Sequence, residues 1–160
     1  IYVLGENRND INSSEYLYNI HNIKFSPTPH FDLEEEFKLQ QTVRNLIADK
    51  MISSAHDVSD GGLFVSLLES AFPNKLGFEI NTKEGVRKDA FLFGESQSRI
   101  IVSISDSQKD AFETKLKEAN QAFEQIGSVS DSSVSIDGND WDNIAAWDKV
   151  FLESFEGALK

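Results

Sequence analysis

The sequence contains no cysteine, which excludes disulfides and thiolate metal sites and fits a reducing compartment. Cationic side chains are scarce: 15 Lys and Arg stand against 27 Asp and Glu, a formal net charge of −12, with a pI near 4.6. A surface of that sign repels phosphate backbones and excludes broad nucleic-acid binding. A single small phosphate is not excluded, because backbone N–H groups at a helix start hold an anion without side-chain charge. Long apolar runs are also missing; none approaches the roughly 18 to 20 residues of a membrane-spanning helix. Residues Ile1 to Gly5 show no initiator methionine, no basic segment and no small-residue cleavage site. The expectation is a cytoplasmic piece of a longer chain, with neither membrane nor nucleic acid among its partners.

What is present suffices for one core. Hydrophobic residues fill 39% of the 160 positions and include 12 Phe, too many for a disordered chain. That length gives one domain, or one domain with a terminal extension.

Ile1 to Leu4 is a short β-type run closed by Gly5, followed by a polar loop to Ser14 and a short helical segment to Ile20. Pro27-Thr28-Pro29 forces an extended passage. Asp32 then stands as an N-cap with Glu35 three residues on, a capping-box spacing. Leu39, Val43, Leu46 and Ile47 recur on one face of the helix that follows. Met51 to Ala55 reads as a buried strand or turn, and a second helix is expected from Ser59 or Asp60, carrying Leu63, Leu67 and Ala71 until Pro73 ends it.

Phe78 and Ile80 mark a short strand, and Ile100 to Ser105 a buried one. Ser107 and Asp110 open a third helix with Phe112, Leu116 and Ala119 on it. Strands are expected at 123–129 and 133–137, the second ending in an Asp137-Gly138-Asn139 turn. A last helix carries Ile144, Trp147, Phe151 and Phe155. Strands and helices mix without a strict βαβ rhythm, so the class is α+β, a mixed sheet of four or more strands packed with helices.

Two strings carry the candidate chemistry. The first is His56-Asp57-Val58-Ser59-Asp60-Gly61-Gly62-Leu63. Gly61 and Gly62 let the backbone approach a ligand closely, and the helix start behind them offers unpaired N–H groups to an anion. Asp57 and Asp60 read either as helix caps or as groups within reach of a nucleotide-bound Mg²⁺. A plain cap and tight turn before an amphipathic helix would give the same string.

The second string is Phe93-Gly94-Glu95-Ser96-Gln97-Ser98-Arg99, directly before a strand. Glu95, Ser96, Gln97, Ser98 and Arg99 supply donors and acceptors for ribose hydroxyls, an amide or a phosphate, and Gly94 permits an unusual backbone angle. Its bland reading is a solvated loop with a weak Glu95–Arg99 surface pair. The candidate binding residues are therefore His56, Asp57, Ser59, Asp60, Gly61, Gly62, Gly94, Glu95, Ser96, Gln97, Ser98 and Arg99. No residue is expected to be catalytic or to hold a metal.

Together HDVSDGGL and FGESQSR resemble the C-terminal domain of the AIR-synthase-related superfamily. The stretch Ser13-Ser14-Glu15-Tyr16-Leu17 is similar to the family's small-residue-Ser-Glu-Tyr-Leu segment, and the likeness spans nearly the whole chain. The closest likeness is to the branch that makes formylglycinamidine ribonucleotide in purine biosynthesis. There ATP activates the amide oxygen of formylglycinamide ribonucleotide, and glutamine-derived ammonia displaces phosphate. The resemblance implies ATP and Mg²⁺ as cofactors of the whole enzyme. It implies N-terminal ATP-binding domains and a glutaminase domain or subunit as partners, and a phosphorylated ribonucleotide as substrate.

On this reading residues 1–25 trail from a preceding ATP-binding domain and 26–160 form the C-terminal domain, inactive alone. The family's Glu-Ser-Gln string touches substrate in the first half of the enzyme. This chain resembles the second half, where the equivalent site is structural or auxiliary. Asp57 to Gly61 also resembles thiamine-monophosphate kinase, while AIR synthase and selenophosphate synthetase differ at the Gly-Gly string. A non-catalytic scaffold of the same fold is the reading from another class.

Overall fold

The computed structural model describes residues 1–158. In chain order the elements are β1 (Tyr2–Leu4), a short π-type turn (Tyr16–Ile20), α1 (Leu33–Ala48), β2 (Ser54–Asp57), α2 (Gly62–Ala71), β3 (Gly77–Ile80) and α3 (Lys88–Phe93). They continue with β4 (Ile100–Ser103), α4 (Lys109–Glu118), β5 (Phe123–Gln125), β6 (Gly127–Ser130), β7 (Ser133–Ile136), β8 (Asn139–Asn143) and α5 (Ile144–Ala158). The α+β class expected from the pattern is the observed one.

The strands form two four-stranded sheets, ordered β2-β4-β1-β5 and β6-β3-β7-β8. The first is wholly antiparallel, and the second is mixed because β3 and β7 run parallel. The expected single strand at 123–129 divides at buried Ile126. Its first part pairs with β1 and its second with β3. Ile126 itself donates to Ile1 O and accepts from Asn81 N–H, so one stretch of chain links both sheets.

Helices cover the first sheet on both faces, and its strands record this in their side-chain alternation. Tyr2, Leu4 and Val102 join Leu39, Val43 and Leu46 of α1 and Phe112 and Leu116 of α4 in one apolar cluster. Val3 and Ile101 point the other way, into a cluster with Leu63, Phe64 and Leu67 of α2. Residues 1–25, expected to trail from a preceding domain, thus contribute the strand that lies between β4 and β5. The packing draws no boundary at 25, because both faces of β1 are buried.

Several local expectations need correction. Asp32 caps α1 by accepting from Glu34 N–H and Glu35 N–H, each at 2.9 Å. Glu35 does not complete the capping box; it turns outward to Arg8 and His30. Ile47 is exposed, because it lies off the Leu39–Val43–Leu46 stripe. The short α3 and the strand β8 carry too few periodic residues to be read in advance. Ala119 and the Met51–Ala55 run face outward more than expected, and the side chain of Phe155 lies outside the described residues. No helix among the described residues is long and apolar enough to cross a membrane.

Candidate functional site

The two polar strings meet because β2 and β4 are antiparallel neighbours. Asp57 pairs with Ile100 and His56 with Ile101. The next rung is Val58 N–H donating to Arg99 O at 3.0 Å. The first string therefore leaves its strand at the same sheet end where the second enters its own. Between them lies a shallow cavity of about 190 Å³, lined by Asp57, Val58 and Gln97 to Ile100, with Glu36 and Leu39 of α1. Larger hollows of about 230 and 310 Å³ sit beside Ile1 and contain no residue of either string. Volume alone offers no chemistry, so the smaller cavity is the better candidate.

The structure divides the twelve candidate residues into two groups. Asp57, Ser59, Asp60 and Gln97 are exposed, and His56 and Ser98 are half-buried. Strand alternation sends His56 away from the cavity. Its Nδ1 lies 2.7 Å from Asp57 O and its Nε2 3.6 Å from Glu69 Oε2 on α2. Ser98 donates to Glu36 Oε2 at 2.7 Å. The cavity is rich in acceptors: two carboxylates, the Gln97 amide oxygen and the Ser98 hydroxyl. It suits hydroxyl or N–H donors better than a phosphate.

The second group is built into the framework. Helix α2 begins at Gly62, two or three residues later than expected, and neither Asp57 nor Asp60 caps it. Gly61 N–H donates instead to Glu95 Oε1 at 2.9 Å, and Gly62 N–H to Ser59 O at 2.9 Å. At Gly61 the chain's own Glu95 carboxylate stands where an anion was expected.

Gly62 has φ +72°, and a Cβ there would meet Phe93 and Gly94 backbone atoms at 2.7–2.8 Å. Its lack of a side chain serves the close packing of α2 on the second string. Ser96 is buried.

Arg99 is the clearest reversal. It is 3% exposed and makes no surface pair with Glu95. Its guanidinium donates to Gly94 O at 2.5 Å, Ser96 O at 3.2 Å and Asn7 Oδ1 at 3.4 Å, tying the Gly94–Ser98 loop to the polar loop after β1. Burial lowers its pKa to about 10, against the opposing pull of Asp10 and Glu95, so it is charged at neutral pH.

Sequence reasoning missed Glu36, Asn7 and the backbone of Glu15. Glu36 is one of three consecutive glutamates, and nothing local distinguishes it. Among the described residues no group of three or more His, Asp or Glu side chains is placed to hold a metal ion.

Comparison with known proteins completes the description. Residues 1–138 match the family described as AIR synthase related protein, C-terminal domain. Phosphoribosylformylglycinamidine synthase subunit PurL of Caldanaerobacter subterraneus subsp. tengcongensis is 36% identical over 160 residues, covering 100% of this chain and 22% of that protein. PurL of Methanocaldococcus jannaschii is 32% identical over 163 residues, covering 97% of this chain and 22% of its own length. The chain thus spans roughly a fifth of the relatives it matches.

Among solved structures, Thermotoga maritima PurL complexed with FGAR aligns with a TM-score of 0.71 at 14% identity, over 89% of this chain and 26% of that one. Thiamine-monophosphate kinase from Stenotrophomonas maltophilia aligns at 0.56 and 17% identity, over 87% of this chain and 50% of that one. At such identities the likeness is one of fold.

Proposed function

The chain belongs to the AIR synthase related protein family, C-terminal domain, and from that premise we propose that it is the C-terminal domain of a phosphoribosylformylglycinamidine synthase. The whole enzyme would convert formylglycinamide ribonucleotide, glutamine-derived ammonia and ATP into formylglycinamidine ribonucleotide, ADP and phosphate. The observation that carries this reading is identity of 36% along 100% of the chain, with its two polar strings meeting at one cavity.

In this reading the domain supplies one wall of a ligand cleft. Asp57, Gln97 and Ser98 form the wall, with Ser59 and Asp60 at its rim. His56, Gly61, Gly62, Gly94, Glu95, Ser96 and Arg99 keep that wall in shape. The acceptor-rich lining favours ribose hydroxyls or an amide N–H over the phosphate of the nucleotide. ATP and its metal are assigned to ATP-binding domains elsewhere in the whole enzyme. The glutaminase partner belongs with them, in keeping with a neighbour of known structure, PurLQS from Thermotoga maritima. The acidic composition and the lack of cysteine agree with a cytoplasmic enzyme.

A chimera tests the proposal. This chain replaces the matching segment of the Caldanaerobacter PurL, and ATP-dependent amidine formation is measured with ammonia as donor. Retained turnover is expected. A folded chimera without turnover, beside an active parent, would overturn the assignment.

A further inference from the structure

One carboxylate oxygen joins the three strings on which the family resemblance rests. Glu95 Oε1, in the second polar string, accepts from Gly61 N–H at 2.9 Å in the first. The same oxygen accepts from Glu15 N–H at 2.8 Å in the Ser13–Leu17 stretch. Beside it the rings of Tyr16 and Phe93 stack at 4.8 Å with 4° between their planes. The close Gly62–Gly94 approach lies one residue along each string from the Gly61–Glu95 bond. In a capping box the N-cap N–H is answered by a glutamate three residues on. Here residue 64 is Phe, and the acceptor arrives from 34 residues away.

We propose that Glu95 is a positioning residue, a clasp that sets the spacing of the two strings lining the cavity without touching the ligand. Gly61 stands three positions after Val58, and Glu95 two before Gln97, so a bond between them leaves little freedom to either wall of the cavity. Two N–H donors on one ionised oxygen are charge-assisted, and the positive end of α2 adds to them. The bond to Glu15 fastens the 13–17 stretch to the same point. The identity of the walls rests on the ligase reading above; the clasp itself does not.

The test uses this chain alone and needs no ligand. Amide hydrogen exchange is measured by NMR for Glu95→Ala and Glu95→Gln. In E95A the Glu15 and Gly61 amides are expected to exchange about tenfold faster together, while β1 and α4 amides keep their rates. In E95Q, which retains a carbonyl acceptor, most of that protection is expected to return. Unchanged exchange at either amide in E95A would overturn the clasp, and so would E95Q exchanging as fast as E95A.

Should E95A fail to fold, Glu95→Asp decides. The carboxylate, drawn back by one methylene, is expected to lose at least one of the two amides, which then exchanges about tenfold faster; slow exchange retained at both Glu15 and Gly61 would overturn the clasp. Failure here leaves the chimera result standing, and a silent chimera leaves the clasp standing.

Discussion

Val58 N–H donates to Arg99 O at 3.0 Å, one rung beyond the ladder that pairs Asp57 with Ile100. This bond makes two polar strings, distant along the chain, into opposite lips of one cavity. Arg99 thereby holds a wall in place with its backbone while its side chain stays buried behind it.

Arg99 is expected to be the most sensitive polar residue of the site. Arg99→Ala leaves Gly94 O, Ser96 O and Asn7 Oδ1 without their donor, a loss of about 3 kcal/mol or more. Arg99→Lys keeps the charge but not the planar fork, and should recover only part of it. Urea denaturation measures both; an R99A midpoint equal to that of the unaltered chain would remove Arg99 from the framework.

Asp57→Asn and Gln97→Ala should behave in the opposite way. Both side chains are exposed, so stability is expected to change by no more than about 0.5 kcal/mol. In the PurL chimera each should lower kcat/KM about tenfold, close to the worth of one lost hydrogen bond. Full activity in both would take these residues out of the proposed wall.

Phe64 holds the second sheet to α2. Its ring packs edge-on against Phe78, Phe93, Trp141 and Trp147. Phe64→Ala should cost about 3–5 kcal/mol. With two of its neighbours tryptophans, the folded emission should also shift to the red. Unaltered emission together with unaltered stability would contradict this packing.

Residues 1–5 are expected to be indispensable. Without β1 the first sheet loses the strand between β4 and β5 and its contribution to both apolar clusters. A chain beginning at residue 26 should show no cooperative thermal transition by circular dichroism. A sharp transition would restore the boundary at 25.

Acid should weaken the tie between Asp137 and the turn after β3. Burial alone would raise the Asp137 pKa, but hydrogen bonds from Lys88 and Thr82 outweigh it and hold it below the ordinary value of 3.8. A carboxyl with a depressed folded pKa stabilises fully above its unfolded value and loses that contribution as pH falls through the folded one. Stability should therefore decline below about pH 4. In Lys88→Met the Asp137 carboxyl, followed by ¹³C NMR, should titrate higher; an unmoved midpoint would refute the pairing.

The sequence by itself determined the family, the α+β class, the run of β1, the Asp32 cap, the core faces of α1 and α4 and the two polar strings. Each is a local signal: periodicity, a cap spacing, or a short run of residue types. Tertiary structure alone decided where those strings sit and what they bond within the chain. Glycines read as a ligand cradle are filled by Phe93, Gly94 and Glu95. An arginine read as a surface group is buried and spends its donors on backbone carbonyls. These outcomes depend on which N–H and C=O groups remain unpaired after the sheets form. That depends in turn on strand order, which brings β2 beside β4 and Glu15 beside Glu95. Periodicity records which face of an element is buried, but not which element covers it.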